Sequence, residues 1–167
     1  MSPDMSGPDI SVSTYSITIP LINEKDTIQL GHNLASILKC GDCVTLSGEI
    51  GSGKTFLARS IIRFLLKKDN LEVLSPTFTI LQIYESKIPI AHFDFYRLSN
   101  IQDFFELGFD ELLSEGICIV EWPDVGKELL PSNRICIQLD QENIKRKATI
   151  SAEKWIIDHI MNKNIKN

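Results

Sequence analysis

The sequence predicts an α/β domain of three layers, a central and mostly parallel sheet flanked by helices, and three observations carry that prediction. First, Gly48-Glu49-Ile50-Gly51-Ser52-Gly53-Lys54-Thr55 is a full match to the phosphate-binding pattern G-x-x-x-x-G-K-[ST]. It lies between the apolar run Cys43-Val44-Thr45-Leu46, which reads as a buried strand, and Phe56–Leu66, which reads as a helix. Second, two further apolar runs end in an acid: Ile88–Phe93 in Asp94, and Ile117–Val120 in Glu121. Ligands of parallel α/β sheets bind outside the carboxyl ends of the strands, so both acids would stand beside the phosphate loop. Third, strand-like runs alternate with helical periods along 167 residues that are 43% hydrophobic, which suits one domain. Together these give a three-layer P-loop NTPase fold.

Taken in order, residues 1–13 are rich in Ser, Pro, Gly and Asp and read as a disordered leader ahead of one domain over residues 14–162. Tyr15–Ile19 alternates as a short strand closed by Pro20, which suits a sheet edge. Asn23 with Asp26 can cap a helix running to about Leu38, where Gly41 stops it. After the phosphate-loop helix, Glu72-Val73-Leu74 is a strand candidate ending in the turn Ser75-Pro76-Thr77-Phe78. Thr79–Tyr84 and Ile88–Phe93 follow as two strands. Ser99 with Gln102 makes a capping box for a helix over Ile101–Leu107, and Gly108 breaks it before Phe109–Leu113. Arg134–Leu139 and Lys147–Ile150 read as late strands, an antiparallel pair, and Glu153–Met161 as a closing amphipathic helix before a flexible tail at 163–167.

The loop pattern has a chemical reason. Glycines at 48, 51 and 53 allow the tight turn that aims backbone N–H groups at one phosphate chain. The following helix begins beneath the phosphates, Lys54 can reach the outer ones, and the Thr55 hydroxyl can ligate Mg²⁺. Of the two strand-end acids one suits the metal, and the other suits orienting or deprotonating an attacking water.

Composition excludes other classes. A net charge of −5 argues against a broad nucleic-acid surface. No run approaches a membrane span and no targeting segment is visible, so a cytoplasmic protein is expected. Cys40-Gly41-Asp42-Cys43 is a C-x-x-C, but it follows a helix and enters a strand, the reverse of a redox motif; four reduced structural cysteines are expected. Arg59, Arg63 and Lys67 form a stripe at helical spacing, either a solvated face or a docking surface for an acidic partner or RNA.

The phosphate loop, then Ser75-Pro76-Thr77-Phe78, His92-Phe93-Asp94-Phe95-Tyr96-Arg97-Leu98, Glu106-Leu107-Gly108 and Glu121-Trp122-Pro123, resemble in order and spacing the bacterial TsaE (YjeE) family. The resemblance implies an ATPase, weak alone, that supports threonylcarbamoylation of tRNA adenosine N6 with TsaD and TsaB, meeting tRNA through that complex. It implies ATP and Mg²⁺ as ligands. Nucleotide contacts are then expected from Glu49, Gly51, Ser52, Gly53, Lys54, Thr55, Phe56 and Thr77, and metal contacts from Thr55, Asp94 and Glu121. Lys54, Glu121 and Trp122 are the expected catalytic groups. Phe56 departs from the second Thr that many members carry after the loop's Lys-Thr.

His92 and Tyr96 match the family motif and are equally open to a structural reading, and Arg97 could meet phosphate charge or a surface acid. Two rival functions remain. A small-molecule kinase shares the loop but would need an arginine-rich lid, and the arginines outside the loop are scattered. A nucleotide-gated binding module would need no turnover. Adenine is expected over guanine because no [NT]-K-x-D stretch occurs.

Overall fold

The computed structural model describes residues 13–164. The leader expected over 1–13 therefore falls outside the described residues except for Ser13, as do positions 165–167 of the expected tail.

The loop strand β2 (Cys43–Ser47) lies in the middle of a seven-stranded sheet. On one side it pairs in parallel with β5 (Ile117–Glu121), which pairs in parallel with β4 (Ile90–Asp94). On the other it pairs in parallel with β6 (Ile135–Glu142). The margins are antiparallel: β7 (Lys145–Ala152) runs back along β6 and β1 (Tyr15–Leu21) along β7, while β3 (Leu81–Tyr84) runs back along β4. Five of the seven strands, β1, β2, β4, β5 and β6, thus share one direction, which agrees with a mostly parallel sheet. Every residue of β4 and β5 is buried, as expected of strands covered on both faces. β1 alternates outward and inward at the edge, and there Pro20 is tolerated because its outer side needs no ladder donor.

Helices cover both faces. α1 (Glu24–Ala35), α2 (Lys54–Leu66) and α5 (Lys154–Asn164) bring Leu34, Ile61 and Ile160 onto Val44, Ile119, Ile137 and Ile150 in one core cluster. On the other face α3 (Ile101–Glu106) and α4 (Phe109–Glu115) bring Phe104 and Phe109 onto Phe93, Cys118 and Val120. The rings of Phe93 and Phe104 each lie 5.3 Å from that of Phe109, within the range of favourable aromatic packing. Asn23 and Asp26 close the expected capping box on α1, which ends at Ala35, three residues short of the expected end. α5 continues three residues past Met161.

Three expectations are corrected. Glu72-Val73-Leu74 forms no strand, because β3 occupies the sheet edge beside β4. That segment is instead tied to α2: Arg59 Nε donates to the Val73 carbonyl (3.0 Å) and Arg63 Nε to the Leu71 carbonyl (2.8 Å). The basic stripe is therefore neither a solvated face nor a docking surface at those two positions, since both guanidinium groups hold the chain that returns from α2. The cap of α3 is Asn100 rather than Ser99. Asn100 Oδ1 accepts the Asp103 N–H (3.0 Å), and Asp103 Oδ2 accepts that of Ser99 (3.1 Å). The cysteines are free, as expected. Burial pushes the Cys118 thiol up to about 12, and that of Cys43 is raised by the same cause, so neither is a thiolate at neutral pH.

Candidate nucleotide site

The phosphate loop leaves the carboxyl end of β2 and turns into α2 through backbone that only glycine adopts cheaply. Gly51 (φ 80°) and Gly53 (φ 105°) are left-handed, and Gly53 is the residue that starts α2. A Cβ at either would meet nothing, so their requirement is conformational. Gly48 (φ 147°) has a second reason: a Cβ there would strike the carbonyl oxygen of Leu139 on β6 and the hydroxyl of Ser52. The side chain excluded at Gly48 would collide with the protein itself, before any ligand.

One cavity of about 360 Å³ opens beside the loop. Of the residues expected to touch nucleotide or metal or to act in catalysis, Gly51, Gly53, Lys54, Thr55, Phe56, Thr77, Asp94, Glu121 and Trp122 line it. Glu49 lines a neighbouring cavity instead, and Ser52 is turned inward, its hydroxyl buried without a partner.

The carboxylates arrive together because β4 and β5 are parallel neighbours in register, Asp94 opposite Glu121. Their partners differ. Thr55 Oγ1 donates to both oxygens of Glu121 at 3.0 Å, so the first turn of α2 and the end of β5 are joined at the site. His92 Nε2 lies 2.8 Å from Glu121 Oε1. A carboxylate only accepts, so the ring proton sits on Nε2 and points at Glu121. Asp94 Oδ2 accepts the hydroxyls of Ser75 (2.9 Å) and Thr77 (3.3 Å), while its Oδ1 accepts the N–H of Tyr96 (2.9 Å). One acid thus grips α2, and the other grips the Ser75–Thr77 turn.

Lys54 is folded onto the loop, its ammonium donating to the carbonyls of Gly48 (2.7 Å) and Glu49 (2.9 Å) and lying 4.1 Å from the centre of the Trp122 ring. Burial draws its pKa below the ordinary lysine value, against the opposing pull of Glu121, Asp94 and Glu49. Trp122 holds this place through left-handed backbone (φ 53°), unusual for a bulky residue, anchored by its N–H to the Leu46 carbonyl (3.2 Å). Its ring also meets that of Tyr96 at 5.0 Å.

Sequence reasoning did not place Ser75 in the cavity wall, and left Tyr96, which lines it, and His92 open. A period-two signal was available for His92: it stands two residues before Asp94, and a strand puts such residues on one face. Among the described residues Arg97 pairs with no surface acid; its guanidinium lies 4.2 Å from the centre of the Phe78 ring.

The donor set suits Mg²⁺. Thr55, Asp94 and Glu121 offer hard oxygens, and among the described residues no group of three or more His, Cys, Asp or Glu side chains could hold a metal. Magnesium is ordinarily held this way, by one or two carboxylates with phosphate oxygens completing its shell. Among the described residues no helix is long and apolar enough to cross a membrane.

The family model for threonylcarbamoyl adenosine biosynthesis protein TsaE matches residues 21–149. Among relatives called tRNA threonylcarbamoyladenosine biosynthesis protein TsaE, that of Rickettsia typhi is 37% identical over 142 residues, 84% of this chain and 98% of the relative. That of Bacillus subtilis is 35% identical over 118 residues, 70% of this chain and 72% of the relative. The crystal structure of YdiB from Bacillus subtilis superposes with a TM-score of 0.75 at 26% identity, over 91% of this chain and 98% of that one.

Proposed function

Because this chain belongs to the TsaE family of threonylcarbamoyl adenosine biosynthesis proteins, we propose that it acts in tRNA threonylcarbamoyladenosine biosynthesis as a Mg²⁺-dependent ATPase in the cytoplasm, alongside TsaD- and TsaB-type partners. The observation that carries the ATPase reading is the meeting, in one cavity beside the loop, of Lys54, Thr55, Asp94 and Glu121.

Loop N–H groups and the start of α2 attract the phosphates, and the outer ones offer Lys54 charged acceptors stronger than the two carbonyls it now binds. Thr55, with the carboxylates of Glu121 and Asp94, would hold Mg²⁺, which when bound neutralises charge on the phosphate oxygens. Glu121, steadied by His92, orients a water and takes its proton as the water oxygen attacks the terminal phosphorus. The bond from that phosphorus to the bridging oxygen breaks, and ADP leaves with the electron pair. Trp122 covers the Lys54 ammonium on one side. Lys54, Thr55 and Glu121 satisfy one another or the loop in this state, which supports slow turnover alone and faster turnover once a partner closes the rim at Ile50 and Tyr96, both exposed here.

The test is ATP hydrolysis by the purified chain, alone and with TsaD and TsaB, beside Lys54→Ala and Glu121→Gln. The expected result is low activity alone, a rise with the partners, and loss in both variants, with nucleotide binding retained in Glu121→Gln. Turnover indifferent to the partners would favour a kinase. Modification that still cycles many times with Glu121→Gln would overturn hydrolysis in favour of a nucleotide-gated module.

A further inference from the structure

The two faces of the sheet are not covered alike. On β2 and β6 the side chains of Val44, Leu46, Ile135, Ile137 and Leu139 join the core beneath α1, α2 and α5. Strand alternation therefore turns Thr45, Ser47, Cys136, Gln138 and Asp140 to the opposite face. There α3 and α4 cover β4 and β5, while the 3-10 helix Pro123–Leu129 packs beside β2. A cavity of about 410 Å³ stays open over β2 and β6, within the ~300–1,000 Å³ typical of small-molecule sites. Its walls carry charges of both signs: Lys127 and Arg134 against Asp124, Asp140 and Glu49. Among the described residues none of these five stands in an ion pair. Arg134 Nη1 donates to the Pro131 carbonyl (2.9 Å), and the Gln138 amide donates to Asp140 Oδ1 (3.2 Å), so both groups are held at the wall. At the floor Thr45 is 3% exposed, and among the described residues its hydroxyl has no hydrogen-bond partner. Buried hydroxyls are ordinarily paired, so this one is left to whatever enters the cavity.

We propose that this cavity binds a small zwitterionic α-amino acid with a side-chain hydroxyl. Its carboxylate meets Arg134 and Lys127, its ammonium meets Asp140 and Asp124, and its hydroxyl meets Thr45 at the floor. Opposite charges that share a cavity without touching are satisfied together by a ligand that carries both complementary charges on one carbon. A plain anion or a plain cation would satisfy one set and be repelled by the other, and an apolar ligand would strand them all. Arg134 keeps guanidinium N–H groups beyond the one given to Pro131, and their planar fork suits a carboxylate. The cavity is separate from the phosphate site, with Trp122 as the one lining residue common to both. The proposal therefore goes beyond the ATP-binding reading and requires no nucleotide.

The test is equilibrium binding of L-threonine to the full chain without nucleotide. It is read by calorimetry and by the emission of Trp122 in a Trp155→Phe background, where no other tryptophan is left. The comparison probes are L-valine, which replaces the hydroxyl by a methyl group, and (R)-3-hydroxybutyrate, which lacks the ammonium. The expected result is saturable threonine binding with a Kd of about 1 mM or below, and binding about tenfold weaker for either comparison probe. Lys127→Met and Asp124→Asn should each weaken threonine about tenfold; both side chains are exposed, so neither change unfolds the chain. Thr45→Val should weaken threonine and leave valine within about twofold. No saturation by about 10 mM threonine overturns the site. Equal binding of threonine and (R)-3-hydroxybutyrate, or threonine binding unchanged in both Lys127→Met and Asp124→Asn, overturns it as well. ATP hydrolysis plays no part in these readouts, so their failure leaves the ATPase reading as it stands.

Discussion

Replacing His92 by Leu should destabilise the protein by about 3 kcal/mol, because breaking one half of a buried charged contact costs roughly 3–5 kcal/mol and Thr55 still serves both Glu121 oxygens. The His92 ring is 0% exposed, so the Oε1 side of Glu121 that it covers is packed against protein, although the carboxylate also borders the cavity. For a chain of this size that corresponds to a fall in Tm of about 6–12 °C. Urea denaturation of the unaltered protein, His92→Leu, Glu121→Leu and the double variant forms a cycle that isolates the pair. Removing both partners leaves no orphaned charge, so the double variant should be less destabilised than the sum of the singles by about 1.5 kcal/mol or more. In His92→Leu, kcat for ATP should fall while nucleotide affinity is kept, since the imidazole touches Glu121 and not the phosphate loop. A loss of stability below about 0.5 kcal/mol, or strict additivity in the cycle, would refute the claim that His92 positions Glu121.

Three further predictions concern residues away from the phosphates. The thiols of Cys43 and Cys118 titrate above their ordinary 9.0 because they are buried, so the stability they confer is complete below pH 9 and is lost as pH rises through the window from 9 towards 12. Urea midpoints should fall from pH 9 to 10, by about 1.4 kcal/mol per pH unit for each thiol once the unfolded chain ionises, with a shallower fall in Cys118→Ala. In the native protein a thiol reagent should modify exposed Cys40 first and reach Cys43 and Cys118 only on unfolding, whereas equal reactivity of Cys40 and Cys43 would reinstate a redox pair. Arg59→Ala and Arg63→Ala should each cost about 1 kcal/mol and speed amide exchange over residues 71–74, because each releases a carbonyl of that segment; unchanged exchange would show that the segment holds itself.

What could be read from contiguous residues was read well: the phosphate loop between strand and helix, the two apolar strands ending in Asp94 and Glu121, and the Asn23–Asp26 cap. In each case the signal and the structure lie within a few residues of one another, so periodicity and turn chemistry suffice. Pattern alone misjudged Glu72–Leu74, which has a strand's composition but no neighbour to pair with, since the edge beside β4 is taken. The same applies to Arg59 and Arg63, whose helical spacing shows that they share a face but not what that face meets. By itself the sequence determined that a glycine-rich loop of the G-x-x-x-x-G-K-[ST] pattern joins a buried strand to a helix and that two acids stand at strand ends. Only the tertiary structure decided that Thr55 and His92 converge on Glu121, that Ser75 and Thr77 converge on Asp94, and that Thr45 and Arg134 line one cavity. These partners are mostly far apart along the chain and become neighbours through the order and register of the sheet, which non-local packing selects and no short stretch encodes.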